Sequence, residues 1–195
     1  MRLALLLPFL SIACVTAEGV DPAECTDEID NDENGLIDCD DDGCLDYDFC
    51  QAPPHADLRI NEFMASNATT VSDASGAFPD WIELYNPTAG AISVEGMTIT
   101  DDLLEPAKHV LGALEIPAGG FLLLFADGDV DQGDNHLGFS LSKAGEAIGL
   151  YLDTGEAVDE LEYGQQATDL SAARVPDGST NWEIVEAPTP GESNN

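Results

Sequence analysis

From residue 57 onward the chain is a succession of short apolar runs punctuated by Gly, Pro, Asn and Asp. Residues 58–64 alternate, which places Leu58, Ile60 and Glu62 on one face. Residues 81–85 alternate again and stop at Asn86-Pro87, and residues 92–100 form a run interrupted by Gly96. Residues 110–116 lead into Pro117-Ala118-Gly119-Gly120, a turn signal. Residues 121–125 are continuously apolar, as expected of a strand buried on both faces. Residues 146–152, then Asp153-Thr154-Gly155, then residues 156–163 predict a hairpin. Roughly seven to nine short strands with turn signals between them, and no long amphipathic helix, predict a β-sandwich.

The first residues follow another pattern. Met1-Arg2 supplies one positive charge, and residues 3–12 are apolar apart from Pro8 and Ser11. This run is too short to span a bilayer and reads as a signal peptide. Ser11-Ile12-Ala13-Cys14 resembles a bacterial lipobox, in which the Cys is lipidated and becomes the first mature residue. Ser11 stands where a lipobox usually has Leu, and cleavage near Ala17 with loss of Cys14 is the alternative. The cysteine count favours lipidation. The chain has 5 cysteines, and an odd number in an exported protein calls for an explanation. Assigning Cys14 to the lipid leaves Cys25, Cys39, Cys44 and Cys50, for which export permits two disulfides. Three pairings are open. The spacings are not those of zinc sites, and the interleaved groups are hard carboxylates.

Charge changes the picture most in residues 18–50, which hold 14 Asp or Glu and no Lys or Arg. Disulfides would crowd these carboxylates, at an electrostatic cost that a bound cation removes. Asp30-Asn31-Asp32-Glu33-Asn34-Gly35 opens an EF-hand-type loop, with oxygens at positions one, three and five and Gly at six. Counting on, Leu36 would offer its carbonyl, Asp38 falls at nine and Asp41 at twelve. Position twelve is Asp where an EF-hand has Glu, and helical flanks are missing. A second register, Asp38, Asp40, Asp42, Gly43 and Asp46, reaches Phe49 at twelve and is incomplete. The segment resembles the calcium-binding thrombospondin type 3 repeats and a Cys-bracketed motif of exported bacterial proteins. That resemblance implies Ca2+ as the cofactor. The alternative is a disordered acidic spacer. Gln51-Ala52-Pro53-Pro54-His55 reads as a stiff linker.

The sandwich also resembles a known family. Ile60-Asn61-Glu62-Phe63-Met64-Ala65-Ser66-Asn67 and Asp80-Trp81-Ile82-Glu83-Leu84-Tyr85-Asn86 carry the likeness. So do Ile116-Pro117-Ala118-Gly119-Gly120-Phe121-Leu122-Leu123 and Phe139-Ser140-Leu141-Ser142-Lys143-Ala144-Gly145-Glu146. Ser171-Ala172-Ala173-Arg174-Val175-Pro176-Asp177-Gly178, Trp182 and Pro188-Thr189-Pro190-Gly191 complete it. In this order they resemble the lamin tail domain, an immunoglobulin-like β-sandwich found in nuclear lamins and in exported bacterial proteins. The fold class expected is therefore all-β, an immunoglobulin-like sandwich preceded by a small disulfide- and calcium-stabilised loop segment. The expected divisions are 1–13 signal peptide, 14–24 tether, 25–50 calcium segment, 51–56 linker and 57–195 lamin tail domain.

The chain as a whole has 39 acidic and 5 basic residues, a net charge of −34. Phosphate backbones are bound by neutralising Lys and Arg, and Arg59, Lys108, Lys143 and Arg174 are too scattered to form a basic patch. Nucleic acid is excluded as a partner. His55, His109 and His136 have no partner at metal-ligand spacing. The first falls in the linker, and the other two read as exposed strand-end residues. Phosphate loops, HExxH and nucleophile elbows are lacking. Asp80 and Glu83 fall on opposite strand faces and read as turn capping and edge solvation. Asp127, Asp129, Asp131 and Asp134 read as a hairpin tip, with weak calcium affinity as the alternative. Trp81, Trp182 and residues 121–125 read as core, with a sugar-stacking Trp81 as the alternative.

These readings predict a non-enzymatic lipoprotein, anchored to the bacterial envelope, with the outer membrane expected and secretion as the alternative. Its sandwich would meet an envelope or extracellular protein or glycan. The rival functions are a structural spacer without a specific ligand and, further off, a hydrolase accessory domain.

Overall fold

The computed structural model describes residues 19–47, 50 and 54–194. The expected signal peptide 1–13 and the lipidation site Cys14 lie outside the described residues. The chain divides into two compact units, Met1–Pro53 and Pro54–Asn195.

The described part of the first unit is built from 3-10 turns at Pro22–Cys25, Asp38–Asp40 and Asp42–Cys44. The first turn starts at Asp21, whose side chain accepts from Ala23 N, while the Glu24 carboxylate accepts from Asp21 N. Pro22 fits the first position, where no donor is needed. Of the three open pairings the structure selects Cys25–Cys44 and Cys39–Cys50, which interleave along the chain. Cys25 and Cys44 are fully buried, whereas Val20, Ile29, Leu36, Ile37 and Leu45 are exposed. Apolar burial is therefore scant in the described residues of this unit, and cross-links stand where a core would.

The second unit is a sandwich of short strands. A six-stranded sheet contains β1 (Arg59–Met64), β2 (Asp80–Tyr85), β7 (Phe121–Ala126), β8 (His136–Leu137), β11 (Ser171–Arg174) and β12 (Trp182–Val185). Their order is β12-β11-β1-β2-β7-β8. Facing it, β4 (Thr98–Thr100), β5 (His109–Val110), β9 (Glu146–Tyr151) and β10 (Ala157–Tyr163) run in the order β10-β9-β4-β5. A small pair joins β3 (Ile92–Ser93) to β6 (Glu115–Ile116). Among the described residues every helical segment is a 3-10 turn. This is the all-β sandwich that the alternation predicts, with the immunoglobulin-like arrangement that the resemblance implies.

The core between the sheets includes Leu58, Ile60, Phe63, Ile82, Leu84, Ile99, Leu124, Ile148 and Leu150. Each fully buried aliphatic side chain contributes roughly 1.5–3 kcal/mol. The run 121–125 is covered on both faces, as expected. Leu122 and Leu124 enter the main core, while Leu123 and Phe125 pack on the far face with Trp81, Met64 and Val71. Trp81 is fully buried, which removes the sugar-platform alternative. The predicted hairpin is β9–β10, turning at Thr154-Gly155. Gly145, just before β9, has φ +108°, and a Cβ there would lie 2.6 Å from the Tyr163 carbonyl oxygen, so only glycine fits.

Three local expectations differ. Strand β1 does not alternate evenly: a bulge lies between Ile60 and Glu62 in its pairing with β2. Ile60 pairs Leu84 and Phe63 pairs Ile82 toward the core, while Glu62 pairs Glu83 on the far face, away from Ile60. The acidic loop after β7 is not a hairpin tip, because β7 and β8 pair in parallel. Finally, Pro54–Asp57 forms a 3-10 turn within the second unit, and His55 Nε2 lies 2.9 Å from the Ser93 carbonyl oxygen.

Candidate functional site

In the acidic loop the first register is locally organised. Asp30 accepts from the backbone N–H groups of Asn34 (3.0 Å) and Gly35 (2.9 Å), and Asp32 Oδ1 accepts from Asn34 N (3.0 Å). Gly35 has φ +96°, the sharp turn that position six requires. Asn34 Oδ1 accepts from Leu36 N (2.8 Å), and its Nδ2 donates to both Asp32 Oδ2 (3.2 Å) and Asp41 Oδ2 (2.5 Å). Positions three, five and twelve thus converge on one point, around a buried Asp41 that also accepts from Gly43 N. The Asp32 and Asp41 carboxylates are hard oxygen ligands of the kind calcium takes, with the Asn34 amide nitrogen between them and its oxygen turned to Leu36 N.

The remaining expected ligands are placed differently. Asp38, at φ +50°, turns its carboxylate to the backbone N–H groups of Asp27 (2.9 Å) and Glu28 (3.2 Å). Leu36 is exposed. Asp40, Asp42 and Asp46 of the second register are exposed, and their side chains make no hydrogen bond among the described residues. Phe49 lies outside the described residues. Among the described residues no three His, Cys, Asp or Glu side chains are arranged to hold a metal ion.

A second site was not legible in the sequence. Glu62 and Glu83 are cross-strand partners on the far face of the six-stranded sheet, and both are fully buried. Glu83 is therefore not an edge-solvated residue. Residues 189–194 roof the pair. Thr189 donates from its N (3.2 Å) and Oγ1 (3.0 Å) to Glu62, which also accepts from Ser171 Oγ at 2.5 Å. Gly191 N donates to Glu83 Oε2 at 2.5 Å, and Asn61 Nδ2 donates to Oε1 at 3.3 Å. Asp177 completes the cluster, accepting from Asn61 Nδ2 and Asn194 N and bonded to Ser193 Oγ. Burial pushes the Glu83 carboxyl up to about 8, with Glu62 and Asp177 adding to the rise. Burial also raises Glu62, against the hydrogen bonds that favour its charged form. At neutral pH Glu83 therefore keeps its proton, which relieves repulsion between the adjoining carboxylates. Asp80 has a separate, capping role, accepting from Asn67 N at 3.0 Å, as expected.

The other titratable groups are similarly occupied. His136 is buried, not exposed, with Nδ1 2.7 Å from Asp127 Oδ2 and its ring against Phe125. His109 is half-buried and accepts from Gly138 N (3.1 Å), and burial lowers its pKa. Asp127 and Asp129 also accept from Gln132 Nε2, so the second acidic loop is braced internally. Buried Arg174 donates from Nε to the Ile60 carbonyl, and its Nη2 donates to both carboxylate oxygens of Asp159 (2.9 and 3.1 Å). Tyr163 donates to Glu146, and burial raises its pKa, so it stays a neutral donor. No described helix is long and apolar enough to cross a membrane.

No match to this chain was found among curated proteins or solved structures. The family model for the Lamin Tail Domain matches residues 51–165. The structure continues the same sandwich past that match, since β11 lies between β1 and β12 and residues 189–194 seal the far face of β1 and β2. That family is non-catalytic. With its sheets arranged as an immunoglobulin-like sandwich and more than half its length within the match, the chain belongs to the lamin tail domain family.

Proposed function

We propose that this chain is an exported, envelope-anchored lipoprotein whose lamin tail domain is a surface interaction module, carried on a calcium-stabilised segment. The observation that carries the module reading is how the buried ionisable groups of the sandwich are used. Glu62, Glu83, His136 and Arg174 are each committed to partners within the fold. Such groups build a scaffold and leave its surface to do the recognising. Export and lipidation rest on residues 1–13 and Cys14, and the outer membrane is the proposed location. The proposed partner is an envelope or extracellular protein or glycan, and −34 of net charge argues against nucleic acid.

Calcium would be held by Asp30, Asp32, Asn34, the Leu36 carbonyl and Asp41, where three of these side chains already converge. It would supply the positive charge that lets crowded carboxylates share one loop. Asp38 serves a neighbouring turn, so this register would draw less on position nine than an EF-hand does.

Three measurements test the reading together. Cys14→Ser should move the protein from the membrane to the soluble fraction; unchanged partitioning counts against the anchor. Isothermal titration with calcium should show binding that a chelator reverses; no heat at about millimolar calcium removes the cofactor. Capture from envelope extracts should return a reproducible partner, whereas the rival spacer would return none.

A further inference from the structure

Strand β12 is an edge, bonded only to β11 within its sheet, and β10 is an edge of the facing sheet. Between these two edges the sandwich core reaches the surface in a groove of about 210 Å³. Its walls include Phe63, Leu161, Tyr163, Trp182 and Ile184. Ile184 pairs with Ala172, a core residue, and so points to the core side of the sheet. It is nevertheless 60% exposed, because nothing described covers that end of the core. The aromatic walls are fixed in advance. Phe63 lies 4.6 Å from the Tyr163 ring and 5.8 Å from Trp182, whose other contact is the Arg174 guanidinium at 4.6 Å. A second groove of about 320 Å³ is lined by Glu183, Ile184, Val185 and Glu186 together with Thr189 and Asn194.

Exposed edges are commonly guarded by charge, Pro or bulges. Here the guard is acidic alone. Glu183 alternates with Ile184 in the strand, Glu186 follows it, and Glu162 lines the apolar groove. This turns away anionic chains but attracts cationic ones. A second copy of this chain would bring −34 against −34 and is disfavoured.

We infer that the free edge of β12 accepts an extended segment of a cationic partner protein, with apolar side chains entering the β10–β12 groove and alternate Lys or Arg side chains meeting Glu183 and Glu186 on the other side. Main-chain hydrogen bonds to the edge supply affinity, and the period-two alternation of a strand sorts the two kinds of side chain to opposite sides. This deepens the interaction-module reading and rests on it.

The test uses the oxidised full chain and three synthetic peptides: one alternating Val and Lys, a block peptide of the same composition, and one alternating Val and Glu. The alternating Val–Lys peptide should bind, and the other two should bind at least about tenfold more weakly. Ile184→Asp separates groove from charge, because added negative charge alone would strengthen binding of a basic peptide. The groove predicts a loss of about tenfold or more instead. Binding to Ile184→Asp that is equal or tighter, a block peptide that binds as well, or no binding by any peptide overturns the inference. Should Ile184→Asp fail to fold, Glu183→Lys replaces it: preference must then shift to the Val–Glu peptide, and an unchanged preference overturns the inference. An envelope component captured equally by wild type and Ile184→Asp would leave the module standing while removing this edge as its site.

Discussion

Glu62 and Glu83 sit opposite each other on adjacent antiparallel strands, both fully buried, with hydrogen bonds from Ser171, Asn61 and residues 189–191. Two carboxylates so placed cannot both ionise cheaply, and the proton held by Glu83 is part of the fold.

This makes stability fall as pH rises. The Glu83 carboxyl has an ordinary value of 4.5 and is pushed up to about 8 in the folded protein. A raised carboxyl stabilises the folded state fully below its unfolded pKa, and that contribution is lost across the window up to the folded one. Melting temperature should therefore decline between about pH 5 and pH 8, and Glu83→Gln should flatten the decline. Parallel wild-type and variant profiles would show that the proton has no such role. In the opposite direction, Asp73 is lowered by the Ser75 hydroxyl and Asp169 by the Ala68 backbone N–H, so acid should also destabilise the sandwich.

The interleaved disulfides confine the effect of reductant to one unit. Every cysteine lies at or before residue 50. Each bridge should contribute roughly 2–4 kcal/mol to a segment with little apolar burial. Reduction should raise amide exchange in residues 19–47 to unprotected levels and leave strands β1 to β12 protected. Exchange that stays slow in both units would mean that the loop holds together without its bridges.

Asn86 should be costly to remove. Fully buried, it donates from Nδ2 toward the carbonyls of Gly90, Ile116 and Pro117 and accepts from Thr88 N and Oγ1. Asn86→Ala strands these groups and should destabilise the sandwich by about 2–4 kcal/mol. The check is the shift of the urea midpoint at constant slope; a shift under about 1 kcal/mol would mean water takes the amide's place.

In the acidic loop, Asp41→Asn should weaken calcium affinity by about tenfold or more, whereas Asp46→Asn should leave it nearly unchanged. Calorimetric titration of the two variants distinguishes the registers. Equal losses would shift the site toward residues 38–46.

The elements legible in the sequence are those whose physics is local. Alternation located β1 and β2, a continuous apolar run located β7, and a turn signal between two short runs located the β9–β10 hairpin. The convergence of Asp32, Asn34 and Asp41 was legible for the same reason, being set by spacing around Gly35. What escaped was set by distant chain. Nothing near Glu83 announces a roof arriving 108 residues later. The bulge at Asn61 turns Glu62 away from Ile60, and only the pairing with β2 reveals it. His136 is buried because its strand lies parallel to β7, which a nine-residue connection full of Asp did not suggest. Asp38 left the expected ligand set for backbone donors upstream, at Asp27 and Glu28.

The position of β1 has a kinetic consequence. It lies between β2, close in sequence, and β11, and its Glu62 is bonded across 109 residues to Ser171 and 127 to Thr189. Contacts of that span must wait for large loops to close before they return any stabilisation, which places assembly in the slow regime of milliseconds to seconds typical of all-β topologies. Until residues 171–194 have been delivered, the centre of the main sheet stays open on one side and the protein remains unfinished.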